Sequence, residues 1–279
     1  MALHPILRRL RVFQRSLAIV ALFAAAVVLA PAGAQKRGQP SHQPKALDIV
    51  EKRYAGLKAI SQTITGTMEI SARGDTAKAT IDGRMIAARP NKFRLELTVN
   101  FFGEDRHVVM LSDGHRLIEY DPDDHAYTEQ PLGALAANMD KLAYWFSSRT
   151  GDISVPLFIA AGHKPTGKDT TTYVVSSGSI EGQPVTVVTV KGAFGGAGTG
   201  VMKLYCDTKE GVVRRFAVST PLPQSKGGIS ATLNLVSNYV DINTEPDLGS
   251  DAFEFTPPDD ARQVPAVAPI LTRTIPAAK

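Results

Sequence analysis

The chain contains a single cysteine, Cys206, among 279 residues. One cysteine cannot form a disulfide within the chain, so a hydrophobic core must supply the stability. Cys206 alternates with Leu204 in a strand-like stretch, and no histidine lies near it in the sequence. We therefore expect Cys206 to be a buried apolar side chain and not a catalytic thiol.

An excess of basic over acidic residues is also absent once the first 34 residues are set aside. The whole chain carries a formal charge of +4, and residues 1–34 contain four arginines and no acidic residue. The remainder has 27 basic and 27 acidic residues, which cancel. A nucleic-acid partner requires a surplus of lysine and arginine on one face, so the composition excludes this class of function.

No apolar run reaches the roughly 20 residues that a transmembrane helix needs. The longest, Leu17 to Ala30, has 14 residues, follows the four arginines and precedes Ala32-Gly33-Ala34. This pattern predicts a secretory signal peptide over residues 1–34, cleaved after Ala34, and hence a periplasmic protein. An uncleaved anchor is the alternative. Residues 35–44 are polar and predict a flexible lead-in.

The periodicity of apolar residues predicts one helix and then a sheet. From Ala46 to Leu57 they recur every three or four positions, which indicates an amphipathic helix. They then alternate with polar residues, as in antiparallel strands with one dry face. Strands are predicted over 64–70, 77–87, 93–101, 104–112, 115–121, 125–130, 170–177, 183–191, 200–207, 212–219 and 229–241, with Phe253-Glu254-Phe255 closing the pattern.

Between Pro131 and Ala161 the alternation stops and a helical face appears. Only two helical pieces are therefore available to cover a long sheet, and long twisted sheets tend to curl. We predict a single domain that is mainly β with α. It would be one curled antiparallel sheet of about eleven strands, an incomplete barrel whose helices act as a lid. Residues 265–279 are predicted to be a loose tail.

Three motifs carry a family resemblance: Arg89-Pro90-Asn91-Lys92-Phe93, then Ser112-Asp113-Gly114 with Tyr120-Asp121-Pro122, then Phe253 to Pro258. Their order and spacing resemble the LolA family, the periplasmic carriers that move lipoproteins from the inner to the outer membrane. The resemblance covers residues 45–264. It implies a half-open barrel with a helical lid, in an exported member of unassigned function.

Arg89 is the first candidate site residue. It shares parity with Ile81, Met85 and Ala87, so an unbroken strand would aim it at the dry face near the end of the strand. In the family, the arginine at this place bonds the backbone of the lid and holds the closed state. The resemblance thus implies that Arg89 is a lid latch. The alternative is a rim arginine with its charged head in water.

The dry face is the second candidate site, as the lining of a cavity for acyl chains. Its predicted lining residues are Phe93, Leu95, Leu97, Val99, Phe101, Leu233 and Leu235 from strands, with Leu135, Met139, Leu142, Trp145 and Phe146 from the lid. The alternative for each of these residues is a place in an ordinary dry core.

The sequence does not indicate zinc binding, phosphate binding or nucleophilic catalysis. The spacings of His107, His115 and His125 fit no zinc pattern, and the glycines at 192–200 lead into no helix. No nucleophile elbow is present. We expect no metal, no cofactor and no catalytic residue.

The sequence therefore predicts a non-enzymatic periplasmic carrier or binder of a lipid or lipidated protein, which acts as a monomer. Its partners would be the lipid or acylated protein cargo and a donor or acceptor protein at a membrane. The alternative is an envelope sensor or interaction domain on the same scaffold, which contacts a protein partner.

Overall fold

The computed structural model describes residues 44–72, 74–133, 172–193, 199–222 and 231–267. It has one described helix, α1 (Lys45–Gly56), as the stripe of apolar residues predicted. The twelve strands are β1 (Ala59–Ala72), β2 (Asp75–Ala88), β3 (Lys92–Phe101), β4 (Glu104–Asp113), β5 (Arg116–Asp121), β6 (Ala126–Pro131), β7 (Thr172–Ile180), β8 (Gln183–Ala193), β9 (Thr199–Asp207), β10 (Val212–Leu222), β11 (Ala231–Asn243) and β12 (Arg262–Gln263). The predicted signal peptide, the glycines at 194–198 and the predicted lid lie outside the described residues.

All twelve strands form one sheet in the order β12-β6-β5-β4-β3-β2-β1-β11-β10-β9-β8-β7. Within the described residues β12 and β7 end this order, so the sheet is unclosed. Strands β1 to β11 pair antiparallel, which confirms a mainly β protein built on a single sheet. The short β12 pairs parallel to β6. The helical lid has no counterpart among the described residues, where α1 is the one helix.

The prediction that Phe253-Glu254-Phe255 closes the sheet as a strand is wrong. These residues belong to an irregular segment over 244–261, here called the strap, which precedes β12. Pro257 and Pro258 lack the N–H groups that a ladder needs. Instead, the ring of Phe255 lies 5.4 Å from that of Tyr120 and 6.0 Å from that of Tyr127, centroid to centroid.

The two faces of the sheet differ as the alternation predicted. On the side called here the inner face, apolar side chains from β1 to β5 and from β8 to β11 form one core cluster with α1. The opposite, outer face carries charged and polar side chains, such as Lys78 and Arg84, and is crossed by the strap. Helix α1 packs on β8, β9 and β10, so the described helix covers one half of the sheet.

Two glycines allow neighbouring strands to approach closely at inner-face positions. A Cβ on Gly66 of β1 would lie 2.5 Å from the carbonyl oxygen of Val236, and one on Gly83 of β2 would lie 2.7 Å from Cδ2 of Leu97. Gly83 would also collide with the backbone of Glu96. Glycine inside a strand often marks a place where another backbone approaches closely. Gly66 and Gly83 lie on adjacent strands, and each leaves no room for a side chain.

No helix among the described residues is both long enough and apolar enough to cross a membrane.

Candidate functional site

The inner face of β3 is continuously apolar and buried. Phe93, Leu95, Leu97, Val99 and Phe101 alternate along it, and each is at most 5% exposed. On β11, Leu235 is buried and Leu233 is partly buried against the same core cluster. The structure thus brings seven predicted lining residues onto one surface. The other five, Leu135, Met139, Leu142, Trp145 and Phe146, lie outside the described residues, and contact with a ligand stays a prediction for all twelve.

Arg89 lies at the carboxyl end of α1. Strand β2 ends at Ala88, so strand parity does not direct the Arg89 side chain. Its Nε donates to the carbonyl oxygen of Leu57 at 2.9 Å, and its Nη2 donates to that of Tyr54 at 3.3 Å. The Arg89 backbone N–H also donates to the carbonyl of Lys58. A cation at this end satisfies orphan carbonyls and complements the helix dipole.

The same turn of α1 is anchored from inside the core. Tyr54 is fully buried, and its hydroxyl oxygen accepts a hydrogen bond from the backbone N–H of Val213 at 3.4 Å. Burial raises the pKa of Tyr54 above its ordinary value. Ala46, Leu47 and Val50 bury the remaining apolar stripe of the helix. Arg89, which directly follows β2, and Val213 of β10 therefore hold the end of α1 from two sides.

Two polar side chains are buried on the inner face without hydrogen-bond partners. Gln62 of β1 is 1% exposed, and both its Nε2 and its Oε1 lack a partner. It lies between Ile60 and Ile64 on its own strand and opposite Met85 on β2. The Ser237 hydroxyl on β11 is likewise buried and unpartnered. Sequence reasoning missed Gln62, although its parity with Ile64 was visible.

The Ser112-Asp113-Gly114 motif builds a turn. Asp113 Oδ1 accepts the backbone N–H groups of His115 and Arg116 at 2.8 Å, and its Oδ2 accepts the Arg116 guanidinium at 2.8 Å. Burial raises the pKa of the Asp113 carboxyl, but these bonds outweigh it and hold the pKa at about 2. The motif thus has a structural role in joining β4 to β5.

Asp113→Asn is expected to lose stability in a pH-dependent way. The folded pKa lies below the ordinary 3.8, so the carboxylate stabilises the fold above about pH 4. This contribution, about 1–2 kcal/mol for a partly exposed group, disappears as the pH falls through about 2. Urea unfolding from pH 7 to 2 measures it. Asp82→Asn, an exposed control on β2, should be neutral, and an Asp113→Asn deficit that persists at pH 2 would contradict the account.

The cysteine and two histidines that could take part in catalysis or metal binding are buried or paired with an aspartate. Cys206 is buried, as predicted, and burial raises its pKa to about 12, far from a reactive thiolate. His107 Nδ1 lies 2.8 Å from Asp123, and His125 Nδ1 lies 2.8 Å from Asp260 on the strap. The described residues contain no group of three or more potential ligands that could hold a metal ion.

A polar hollow of about 330 Å³ lies on the outer face between β2, β3 and the strap. Its lining includes Arg84, Arg94, Glu96, Asp247 and Asp251, and Arg94 pairs with Glu96 at 2.7 Å. Guanidinium and carboxylate groups at such density are unsuited to bury acyl chains, because each charge would lose its water. The inner face is therefore the better candidate for an apolar ligand.

Comparison with known proteins places the chain in a family context. Residues 44–267 match the family described as "Predicted periplasmic protein (DUF2092)". The search of curated proteins finds no match to the chain. The family description agrees with the periplasmic location expected from the leader sequence.

Solved structures similar to the chain include three that span most of its length. An uncharacterized conserved protein from Thermus thermophilus shares 14% identity with a TM-score of 0.41, over 79% of this chain and 96% of that chain. LprF from Mycobacterium bovis shares 12% identity with a TM-score of 0.35, over 80% and 100%. A LolA superfamily protein from Nitrosomonas europaea shares 12% identity with a TM-score of 0.28, over 76% and 99%.

Proposed function

This chain belongs to the DUF2092 family of predicted periplasmic proteins, and on that premise we propose that it is a non-enzymatic periplasmic carrier or binder of a lipid or lipidated protein. Acyl chains would lie against the inner face of its unclosed sheet. The observation that carries the proposal is the inner face itself, where the apolar side chains of β1 to β4 belong to one buried core cluster and Gln62 of β1 is a polar exception. Among the described strands, α1 packs mainly on β8, β9 and β10.

The free energy for binding an acyl chain would come from this apolar surface. Burial of one methylene is worth about 0.8 kcal/mol, so a chain of about 15 carbons gains roughly 12 kcal/mol before the costs of association. The Arg89 bonds to α1 are worth less, about 1–3 kcal/mol. The surface therefore sets the affinity for cargo, and Arg89 sets how readily α1 leaves the sheet.

Arg89→Leu is expected to loosen α1 while leaving the sheet folded. Loss of the bonds to Tyr54 and Leu57 should raise hydrogen exchange of the amides in residues 45–56 by about tenfold, as about 1.4 kcal/mol of local stability is lost. Binding of a fluorescent fatty-acid analogue should become faster, because opening of α1 precedes entry. Hydrogen exchange by mass spectrometry and stopped-flow fluorescence measure the two effects.

The matched control is Arg84→Leu, the same substitution on the outer face of β2. It should change neither exchange in α1 nor the rate of probe binding. Arg89→Lys should restore part of the wild-type behaviour, since the ammonium keeps the charge but loses the forked geometry. Equal exchange and binding rates in Arg89→Leu and wild type would remove Arg89 from the gating role.

The proposed function is tested by titration of the delipidated protein with the same fatty-acid analogue. We expect saturable binding that competes with unlabelled long-chain acyl compounds and weakens as the chain is shortened, by about fourfold for each methylene removed. Absence of binding, or an affinity independent of chain length, would overturn the proposal.

A second candidate function, an envelope sensor or interaction domain, is favoured by strand β7. It is the last described strand on its side of the sheet, and Val174 and Val175 are 52% and 53% exposed. Its nine residues contain no charge and no proline, which are common protections of free edges. A partner strand can add to such an edge. A carrier passes its cargo to an acceptor and returns empty, whereas a sensor changes its affinity for one fixed protein.

A further inference from the structure

Gln62 is an unusual residue for the place that it occupies. Its carboxamide is buried on the inner face, flanked by Ile60, Ile64 and Met85, and neither polar atom has a hydrogen-bond partner. An isolated buried amide is strongly unfavourable, and a methionine or leucine would fill the same space without that cost. A buried unsatisfied group in a native protein therefore requires an explanation, such as a ligand or an enclosed water.

The position of Gln62 relates it to the end of α1. On the β1–β2 ladder Gln62 pairs with Met85, three rungs from the pair Ala59–Ala88, which directly precedes Arg89. Arg89 in turn holds the carbonyls of Tyr54 and Leu57 where α1 leads into β1. Because Gln62 is 1% exposed, a ligand reaches it only after a local opening. The turn between α1 and β1, which the Arg89 bonds hold, lies next to Gln62, so we expect the opening to occur there.

The carboxamide specifies what it can bind. Nε2 donates and Oε1 accepts, so full satisfaction needs a ligand with one acceptor and one donor side by side. In an extended acylaminoacyl group, the N–H of the amide and the carbonyl that follows it point to the same side, as they do for one residue of a β-strand. An ester linkage at the same place has no N–H, and it would leave Oε1 unpaired.

We propose that Gln62 is a specificity residue that recognises an acyl chain joined through a secondary amide to a carbonyl-bearing carbon, and discriminates against the ester-linked counterpart. This inference rests on the proposed function and names the head group that the acyl site accepts. Two sources share this chemistry: the acylated N-terminus of a protein and a lipid with an N-acyl amino acid as its head group. The apolar inner face binds the acyl chain, and the carboxamide of Gln62 binds the amide group that follows it.

The test uses two compounds that differ at one atom, N-palmitoylglycinamide and its ester isostere palmitoyloxyacetamide. Calorimetric titration of the delipidated protein should give an affinity about tenfold higher for the amide, since the ester leaves a buried acceptor unpaired. In Gln62→Met the preference should disappear while the ester still binds. The free energy of unfolding of Gln62→Met should be equal to or higher than that of wild type, since an unsatisfied group is removed.

The matched control is Ser237→Ala. Ser237 is also buried and unpartnered on the inner face, but it pairs with Gly66, four residues and about 13 Å along β1 from Gln62. It should keep the amide preference of wild type. Gln62→Leu serves as the second variant if Gln62→Met does not fold.

The binding and unfolding results separate the role of Gln62 from the proposed function. Equal binding of the two compounds by wild type, or an unchanged preference in Gln62→Met, would overturn the role of Gln62 while the proposed function stands. A loss of stability in Gln62→Met with the preference intact would assign the carboxamide to an enclosed water. Binding of neither compound would contradict the proposed function as well. Two further ligands distinguish the two sources. An N-palmitoyl tripeptide represents the acylated N-terminus of a protein, and a lipid with an N-palmitoyl amino acid head group represents the lipid. The ligand that binds more tightly identifies the source.

Discussion

Leu97→Asp is expected to lose at least about 4 kcal/mol of unfolding free energy. Leu97 is 3% exposed on the inner face of β3, between Leu95 and Val99 and opposite Val108 of β4. The substitution removes apolar burial and places a carboxylate where its neighbours offer only apolar contact. Domains of this kind have a total stability of about 5–15 kcal/mol, so the variant should be largely unfolded under mild denaturing conditions.

Urea unfolding followed by circular dichroism measures this loss, with Thr80→Asp as the control. Thr80 is exposed on the outer face of β2, so the same carboxylate there stays in water and should cost no more than about 1 kcal/mol, the span of strand propensities. Equal stability of Leu97→Asp and Thr80→Asp would contradict the assignment of the inner face, and a greater loss in Thr80→Asp would show that the two faces are reversed.

Gly83→Ala is expected to cost about 2–4 kcal/mol, a large effect for one methyl group. The added Cβ would meet the carbonyl oxygen of Glu96 and the side chain of Leu97. The backbone of Glu96 cannot rotate away as a side chain can, so β2 and β3 must separate at this position. The loss should appear as a lower midpoint of denaturation with little change in its slope.

Gly56→Ala provides the contrasting control. Gly56 ends α1, and a Cβ there would meet no atom within 4 Å. Alanine is the better helix former by about 1 kcal/mol, so this variant should be neutral or slightly more stable. If Gly83→Ala were as stable as Gly56→Ala, the close approach of β3 to β2 would not require glycine at position 83.

The strands and the helix could be predicted because their side chains repeat with a clear period. Phe93 to Phe101 alternates without interruption, and the structure places β3 at Lys92–Phe101. The stripe of Leu47, Val50 and Tyr54 likewise predicted α1. A period of two or of about 3.6 reflects local geometry and one buried face, so it is visible without knowledge of the neighbouring elements.

The strap, the bonds of Arg89 and the unpartnered carboxamide of Gln62 depend on contacts between segments that are distant in the sequence, so the sequence alone could not predict them. The strap reads as a strand in Phe253-Glu254-Phe255, yet the Phe255 ring packs across strands that are more than a hundred residues away in sequence. Arg89 was singled out by a motif, but its bonds to the end of α1 follow from the close of β2 at Ala88. Gln62 shared the parity of buried residues, and only the folded sheet shows that its carboxamide has no partner.

The most direct test of the account is native mass spectrometry of the protein isolated from its own periplasm, followed by solvent extraction. We predict a mass increment that corresponds to a bound acyl compound, and an extract that contains a lipid or an acylated peptide. Protein that is empty on isolation and stays empty with added lipids, in buffers that preserve such complexes, would contradict the carrier function and leave the exposed edge of β7 as the surface to pursue.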